Sequence, residues 1–255
     1  MPAALRVTAL FWTWYRRNWR ASVVSTVLQP LLMLLAFGLA FGSLVEPSAA
    51  TGNVDYLTYL APGLLAMTAV QLGVGEATYP VLGCFKWHRS YHGMAATPLT
   101  PAQIMSGHLT WITIRIASAC AVYLVVIALF GGAPGPGVLL SLVFATLCGL
   151  ATAAPVLAFS ASIDDEGSHF GVLNRFVVLP MTLVAGTFFP VSELPLWARP
   201  LAWVSPLWHG TELARGASLE TLRPGPVAGH LAYLLLFAVV GAALAARRFR
   251  VRLHT

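Results

Sequence analysis

The sequence predicts an all-α polytopic membrane protein, a single transmembrane domain over residues 1–255 with six transmembrane helices. Of its residues, 58% are hydrophobic and only 9% are charged, whereas a soluble globular domain carries about 25% charged residues. The apolar residues also form six runs separated by polar or Pro/Gly-rich turns, and about 20 apolar residues suffice to cross the hydrocarbon core of a bilayer. The predicted spans are residues 21–45, 56–82, 107–130, 138–161, 172–190 and 227–246.

Residues 3–20 predict an amphipathic helix that lies in the membrane interface ahead of the first span. At 100° per residue, four arginines fall on one side of this helix, and apolar and aromatic residues fall on the other. An arginine face opposite an aromatic face favours a helix in the plane of the interface. The alternative is that these residues are the frayed start of the first span. The arginines are Arg6, Arg16, Arg17 and Arg20.

The distribution of positive charge predicts that both termini lie in the cytoplasm. Six spans place both termini on one side, which carries ten arginines and lysines, against three in the opposite loops. Lys and Arg concentrate on the cytoplasmic side of membrane proteins. Because these residues are spread over loops and helix ends, the net charge of +6 does not indicate a nucleic-acid partner.

Residues 84–104, between the second and third spans, predict a short helix at the cytoplasmic membrane surface. Aromatic residues alternate with basic ones there, and such side chains suit the boundary between lipid and water. The run TPLTPAQI then predicts a helix start with Thr100 as N-cap, Pro101 at the first helical position and Gln103 closing a capping box. A solvated interfacial helix without a partner is the alternative. The aromatic residues are Phe85, Trp87 and Tyr91.

Residues 186–216 combine four prolines with three tryptophans and a few charges. This density of prolines and charges does not suit a spanning helix, and the tryptophans do not suit a loop in open water. We therefore expect a re-entrant helical hairpin over 191–218, which dips into the membrane from the outer surface and returns.

These two segments resemble the type-2 ABC exporter permeases, most closely the nodulation and daunorubicin-resistance branch. The later segment is similar to the G-x-F-F-P-x-x-x-L-P…P-L signature that precedes the last span in that family, and the earlier one to a T-P-L-x-P-x-x-I run after the cytoplasmic coupling helix. The matching residues of the signature are Gly186, Phe188, Phe189, Pro190, Leu194, Pro195, Pro206 and Leu207. Those of the shorter run are Thr97, Pro98, Leu99, Pro101 and Ile104.

The resemblance implies the membrane-spanning subunit of an ATP-driven exporter in a bacterial inner or plasma membrane. It implies an amphiphilic substrate (a drug, a lipid or a lipid-linked saccharide) and an assembly of two permease copies with two ATPase subunits. Residues 84–104 would couple to the ATPase, and the acidic loop 161–170 would form a second contact. The residues assigned to coupling are Phe85, Trp87, Tyr91, Thr97, Pro98, Leu99, Pro101, Asp164 and Asp165. Those assigned to the outer exit are Phe188, Phe189, Pro190, Leu194, Pro195 and Pro206.

The chain itself contains no conventional nucleotide site. A P-loop needs a lysine in G-x-x-x-x-G-K-[ST], because that lysine reaches the phosphates. The single lysine, Lys86, stands between Phe85 and Trp87. We therefore expect no cofactor in this chain, and ATP and Mg²⁺ bound by the partner ATPase.

Other catalytic and metal-binding patterns are weak. Cys84, His88 and His92 lie at i, i+4 and i+8, so one helix could present all three to a metal, but a fourth ligand is not evident. The interpretation adopted is no metal site. HExxH, GxSxG and SxxK do not occur, and the chain is expected to be a transport subunit without enzymatic activity of its own.

Two charges, Glu76 and Arg115, interrupt otherwise apolar spans at matching predicted depth. Consecutive antiparallel spans make them plausible partners in an intramembrane charge pair. In the alternative, Arg115 extends to the headgroups and Glu76 faces a watery vestibule.

A stand-alone secondary transporter or channel is the alternative function, and it would need acidic residues near mid-membrane. An intramembrane enzyme is a third, weaker choice.

Overall fold

The computed structural model describes residues 3–36, 54–130, 135–165 and 167–254. Within these ranges the chain is helical, with short π-helical and 3₁₀ segments and no β-strand. The helices are α1 Ala3–Met33, α2 Tyr56–Ala77, α3 Tyr79–Phe85, α4 Ser90–Ala95, α5 Pro101–Leu129, α6 Gly137–Ser160, α7 Ser168–Leu173, α8 Leu179–Val184, α9 Arg199–Val204, α10 Pro206–Ser218 and α11 Pro224–His254.

Within the described ranges, four helical segments are long and apolar enough to cross a membrane. They correspond to the second, third, fourth and sixth predicted spans. The last of them is longer than predicted, because α11 continues through the arginine-rich tail. The four segments are Tyr56–Phe85, Pro101–Leu129, Gly137–Ser160 and Pro224–Leu253.

The first and fifth predicted spans and the separate interfacial helix are not confirmed. Helix α1 runs without a break through residue 20, because no proline or glycine interrupts the chain there. The end of the first predicted span, from residue 37, lies outside the described ranges. In place of the fifth span is a shorter apolar helix, Ser168–Val184, which includes a π-helical segment. It ends where Gly186 adopts the left-handed conformation, with a φ of 74°, that favours glycine.

Helix α6 lies at the centre of the bundle and packs closely against α2 and α11. A Cβ atom built on Gly73 of α2 would lie 2.7 Å from the carbonyl oxygen of Gly149 on α6. A Cβ on Gly241 of α11 would lie 2.5 Å from the nitrogen of Pro155 on α6. The absence of side chains therefore lets the backbones touch, as small residues do between helices in membranes.

The N-terminal half of α1 packs along α5. The Thr8 hydroxyl donates a 2.9 Å hydrogen bond to the carbonyl oxygen of Gly107. The predicted start of α5 is confirmed: Thr100 Oγ1 accepts from the Gln103 backbone at 3.3 Å, and Gln103 Oε1 accepts from the Thr100 backbone at 3.0 Å. This capping box fixes the point where the segment that begins at residue 84 becomes the long apolar helix α5.

A large apolar surface of the bundle is exposed. Only 17% of the most apolar stretch of α11 is buried within the chain. An exposed apolar surface of this extent is unusual for a soluble monomer and suits lipid. Its members on α11 and the α7–α8 segment include Leu235, Leu236, Val239, Val240, Phe176 and Leu183.

Candidate functional site

The predicted coupling region is a short helix between two turns. The chain leaves α3 at Phe85, turns through Arg89, forms the six-residue helix α4 and turns again before Thr100. Arg89 has a φ of 49°, in the left-handed region that residues other than glycine rarely adopt. The sharp reversal at Arg89 sets α4 against the ends of α3 and α5.

The predicted coupling residues divide into a buried and an exposed group. Tyr91 is 0% exposed and Phe85 is 2% exposed, whereas Trp87 is 52% exposed. Direct contact of Phe85 or Tyr91 with another subunit therefore does not fit the structure, and any coupling role for them is indirect. Thr97 and Pro98 are exposed, and Leu99 and Pro101 are half-buried. We call Trp87, Thr97 and Pro98 the coupling surface.

An aromatic cluster anchors α4 to α3, α5 and α11 directly and to α1 through His108. Tyr91 packs edge-on against Phe85, with ring centroids 4.6 Å apart, and both contact Phe249 of α11. The Tyr91 hydroxyl hydrogen-bonds His108 Nδ1 of α5. The His108 ring in turn lies 4.2 Å from the ring of Phe11 on α1. We call these five residues the aromatic cluster.

The acidic loop after α6 lies beside this region. Asp164 Oδ1 is 3.4 Å from an Arg252 nitrogen, and the Asp164 carbonyl accepts from Lys86 Nζ at 3.5 Å. Asp165 instead organises its own loop. Hydrogen bonds from Ser168 and from the Gly167 backbone hold the pKa of the Asp165 carboxyl below its usual value. The structure thus brings Asp164 next to residues 84–104 and leaves Asp165 in a local structural role.

The two charges inside the spans lie in contact. Arg115 Nε donates to Glu76 Oε1 at 3.1 Å, and the side chains are 9% and 19% exposed. The ring of Tyr15 on α1 lies 4.4 Å from the Arg115 guanidinium carbon. An ion pair and a cation–π contact therefore join α1, α2 and α5 in the interior.

The predicted re-entrant region contains two short helices, α9 and α10, which meet at Ser205. Pro206 begins α10, is buried, and accepts a hydrogen bond from Cys148 on α6 at 3.4 Å. The tip is apolar and exposed: Trp197 is 77% exposed. Among the other signature residues, Phe188 accepts through its carbonyl from the Tyr56 hydroxyl at 3.2 Å. Phe189 and Pro195 are exposed, and Phe188, Pro190 and Leu194 are half-buried.

Arg215 is a structural residue that sequence reasoning missed. It is 8% exposed and donates to the carbonyl oxygens of Tyr59, Gly186 and Thr187 at 3.2, 2.9 and 3.4 Å. Its guanidinium lies 3.9 Å from the Tyr59 ring centroid. This one side chain ties α10 to α2 and to the chain that enters the hairpin. The sequence did offer one signal of an ordered Arg215 side chain, its i, i+3 spacing from Glu212. Arg215 Nη1 lies 3.4 Å from Glu212 Oε1.

A histidine pair ties α10 to α11. His209 Nδ1 lies 2.7 Å from His230 Nδ1, and His209 Nε2 donates to the Trp203 carbonyl at 3.0 Å. Because Nε2 of neutral His209 then carries the hydrogen, its Nδ1 accepts and His230 Nδ1 donates. Tyr233 stacks on His209 with centroids 3.9 Å apart.

The three candidate metal ligands do not share one helix. Cys84 is buried in α3, whereas His88 lies in the following turn and His92 in α4, both exposed. The reversal at Arg89 removes the helical spacing that the metal interpretation required. Among the described residues, no group of three or more His, Cys, Asp or Glu side chains could hold a metal ion.

Comparison with known proteins places this architecture in a family. The model of the ABC-2 type transporter family matches residues 6–219. Nodulation protein J of Sinorhizobium fredii is 29% identical over 240 residues, covering 90% of this chain and 89% of that protein. Nodulation protein J of Bradyrhizobium diazoefficiens is 28% identical over 261 residues, covering 99% and 96%.

A relative of lower identity is named as a multidrug transporter permease. The probable multidrug ABC transporter permease YbhR of Escherichia coli is 25% identical over 201 residues, covering 78% of this chain and 54% of that protein. The family match spans most of the helices described above, including both segments that carry the predicted motifs. The chain therefore belongs to the ABC-2 type transporter family, as a multi-pass membrane permease.

Proposed function

We propose that this chain moves an amphiphilic substrate out of a bacterial cell, driven by ATP that a separate ATPase subunit hydrolyses. The observation that carries the proposal is the family match over residues 6–219. The apolar, exposed helix faces support a substrate that partitions into lipid. The name of one relative, a probable multidrug permease, supports a drug as the substrate. A lipid or a lipid-linked saccharide is proposed from the sequence resemblance described above.

The proposed assembly is a dimer of this permease with two ATPase subunits in the inner or plasma membrane. Both termini would lie in the cytoplasm, together with α4 and the loop after α6. The positive charges at the end of α11 and around Arg89 support this orientation. The hairpin α9–α10 would then lie at the outer exit, where its exposed tryptophan Trp197 suits the interface.

The coupling surface is the proposed ATPase contact. Its three residues are exposed at one end of the bundle, and the aromatic cluster beneath them holds α4 in place. In the ion-driven alternative, Glu76 would have to be available to a transported cation. Its contact with Arg115 argues against that role, because the carboxylate already has a cationic partner.

Reconstitution with the partner ATPase tests the proposal. The permease alone should hydrolyse no ATP, and with the ATPase it should change the rate of hydrolysis and export a lipophilic dye from vesicles. Trp87→Glu should weaken ATPase binding about tenfold or more, because it places a charge in the centre of a contact. Trp197→Glu, an equally drastic change at an exposed tryptophan of the opposite loop, should leave ATPase binding unchanged.

Two outcomes would overturn the proposal. Dye export by the permease alone under an ion gradient would support the stand-alone transporter. Normal ATPase binding by the double variant Trp87→Glu with Thr97→Glu would show that the coupling surface does not contact the ATPase.

A further inference from the structure

The histidine pair between α10 and α11 has no role in the proposed export mechanism. Its two members, His209 and His230, direct their Nδ1 atoms at each other across 2.7 Å. His209 is 9% exposed and His230 is half-buried. Histidine is the side chain whose ordinary pKa, about 6.5, lies closest to neutral pH. The contact therefore joins two helices through groups that can change charge in the physiological range.

The ring of His209 is fixed by α9 and α11. Its Nε2 donates to the carbonyl oxygen of Trp203 at 3.0 Å. Tyr233, three residues after His230 on α11, stacks on the His209 ring, and the Tyr233 hydroxyl donates to the carbonyl oxygen of Val204. With its Nε2 bound to a backbone carbonyl, His209 keeps its Nδ1 directed at His230.

A cavity of about 190 Å³ lies beside His230 and brings charged groups close to it. Arg215 is held by backbone carbonyls and by Glu212, whereas the Glu212 side chain is 40% exposed, so water reaches this cavity. From α6, the Cys148 thiol lies against Gly210, which follows His209 in the chain, and a thiol is uncharged at neutral pH. The charged side chains that line the cavity are Glu212, Arg215 and Arg223.

The contact between the two rings survives the first added proton and is broken by the second. A proton on His230 Nε2 leaves the Nδ1–H of His230 free to donate to His209, and the nearby Glu212 carboxylate favours the resulting cation. A second proton can bind His209 only at Nδ1, because Nε2 already carries a hydrogen. Both Nδ1 atoms are then donors, and two like charges lie side by side, which disfavours the second ionisation.

The closed arrangement therefore resists protonation of His209. Burial lowers the pKa of His209, and the neighbouring His230 lowers it further, while the hydrogen bond to the Trp203 carbonyl offsets part of the effect. Once separated from His230 and hydrated, His209 would titrate near the ordinary value of about 6.5. The contact is thus complete above about pH 6.5 and weakens as the pH falls toward the lower pKa of the closed state.

We propose that the histidine pair is a pH-sensitive latch, which holds α10 to α11 at neutral pH and releases it in acid. The pair joins the α9–α10 hairpin to the last membrane-crossing segment, so its release lets α10 separate from α11. In the orientation of the proposed function, on which this one statement rests, the latch lies near the outer exit and responds to the pH outside the cell.

Hydrogen exchange read by mass spectrometry tests the latch on the purified permease in detergent, without any ATPase. After correction for the intrinsic effect of pH on exchange, protection of the α10 backbone amides should fall about tenfold or more between about pH 7.5 and pH 5, which corresponds to a pKa difference of at least about one unit between the closed and released states. His230→Asn should retain protection at neutral pH, because its amide N–H can replace the Nδ1–H donor. It should lose the pH dependence, because the amide oxygen can turn toward a protonated His209.

A second histidine variant is the matched control. His88 is exposed in the turn before α4, at the opposite end of the bundle from the pair. His88→Asn should therefore show the same protection of α10 as the wild type at each pH.

Histidine NMR on the same samples reads the titration of the pair directly. The His209 signal, identified by its absence from His209→Asn, should titrate at a lower pH in the wild type than in His230→Asn. The reason is that His230→Asn removes the neighbouring charge. A purely structural role for His230 would not move this midpoint.

Three kinds of result would overturn the latch. Protection of α10 that does not change with pH would show that no proton controls the contact. An unaltered pH dependence in His230→Asn, or its loss in His88→Asn, would assign the effect to other titrating groups. An equal His209 midpoint in the wild type and in His230→Asn would show that the two rings do not interact. Because these measurements use neither ATPase nor transport, failure of the latch and failure of the proposed function are distinguishable.

Discussion

The ion pair between Glu76 and Arg115 predicts an unequal response to neutralising its two members. Glu76→Gln leaves a guanidinium in a nearly closed site, and a guanidinium cannot lose its proton in a protein. Arg115→Gln leaves a carboxylate, which can become neutral by taking up a proton. Glu76→Gln should therefore be the more damaging change, although the glutamine amide oxygen can still accept a hydrogen bond from Arg115.

The size of the effect follows from the burial of the pair. Removing one member of a buried pair costs about 3–5 kcal/mol, and the 19% exposure of Glu76 favours the lower end, about 3 kcal/mol. The cost of a charged side chain at a central helix position, about 2.5–3.5 kcal/mol, agrees. Tyr15→Leu should cost less, about 0.5–2 kcal/mol, since it removes only the cation–π contact.

Thermal unfolding in detergent, followed by tryptophan fluorescence, measures these differences. A change of 1 kcal/mol shifts the Tm of a chain of this size by about 2–4 °C, so Glu76→Gln should lower the Tm by about 6–12 °C. The double variant Glu76→Gln with Arg115→Gln should cost less than the sum of the singles. The exchange Glu76→Arg with Arg115→Glu should recover only part of the loss, because it places a carboxylate against the negative face of Tyr15.

Several results would refute this reasoning. Single variants within about 0.5 kcal/mol of the wild type would show that the contact contributes little. Additive costs in the double variant would show that the two charges do not interact. A greater loss for Arg115→Gln than for Glu76→Gln would contradict the argument from proton uptake.

Three further predictions concern other parts of the chain. Gly73→Ala should lower the Tm because the new Cβ would lie 2.7 Å from a backbone oxygen. Gly75→Ala should be neutral or stabilising, since no atom lies within 4 Å of the Cβ there. Equal Tm values for the two variants would contradict this packing. Arg215→Gln should cost about 3 kcal/mol or more in thermal unfolding, since several charge-assisted hydrogen bonds are lost, and a loss under about 1 kcal/mol would contradict its structural role. The pKa of the Asp165 carboxyl is lowered in the folded chain. Its stabilisation of the loop is therefore complete above its ordinary pKa of about 3.9. That stabilisation is lost as the pH falls through the lower pKa of the folded state. Protection of the Gly167 backbone N–H from hydrogen exchange should follow that pH dependence, and this protection should be lost in Asp165→Asn. Unchanged protection in that variant would contradict the role given to Asp165.

Local signals in the sequence were sufficient for much of this fold. Long apolar runs predicted six spans, four of which correspond to helical segments that could cross a membrane, and adjacent side chains predicted the capping box at Thr100. The contact between Glu76 and Arg115 follows from depth, since consecutive antiparallel spans bring equal depths together. In each case the relevant residues lie on one helix or on two consecutive predicted spans.

Long-range packing explains what the sequence did not reveal. Tyr91 was expected at a surface because its neighbours are basic and aromatic, but it is buried by His108 on the next helix and by Phe249 on α11, which is reached much later in the chain. Arg215 is one of the three basic residues that the charge count assigned to the opposite loops, and its acceptors are backbone carbonyls that no side-chain pattern indicates. The boundary at residue 20 is a change in composition without a helix-breaking residue, so α1 continues through it.

The aromatic cluster has a mechanical consequence for the whole chain. Separating the Tyr91 hydroxyl from His108 would leave buried polar atoms unsatisfied at about 1–3 kcal/mol each, and a close-packed interior transmits strain with little compression. Helix α4 should therefore move as a rigid extension of α5, and not as a hinged flap. Arg115 lies seven residues beyond His108 on α5, about 10 Å further along the same rod. We therefore expect a displacement of the coupling surface to move the ion pair at the same time, as part of one rigid body.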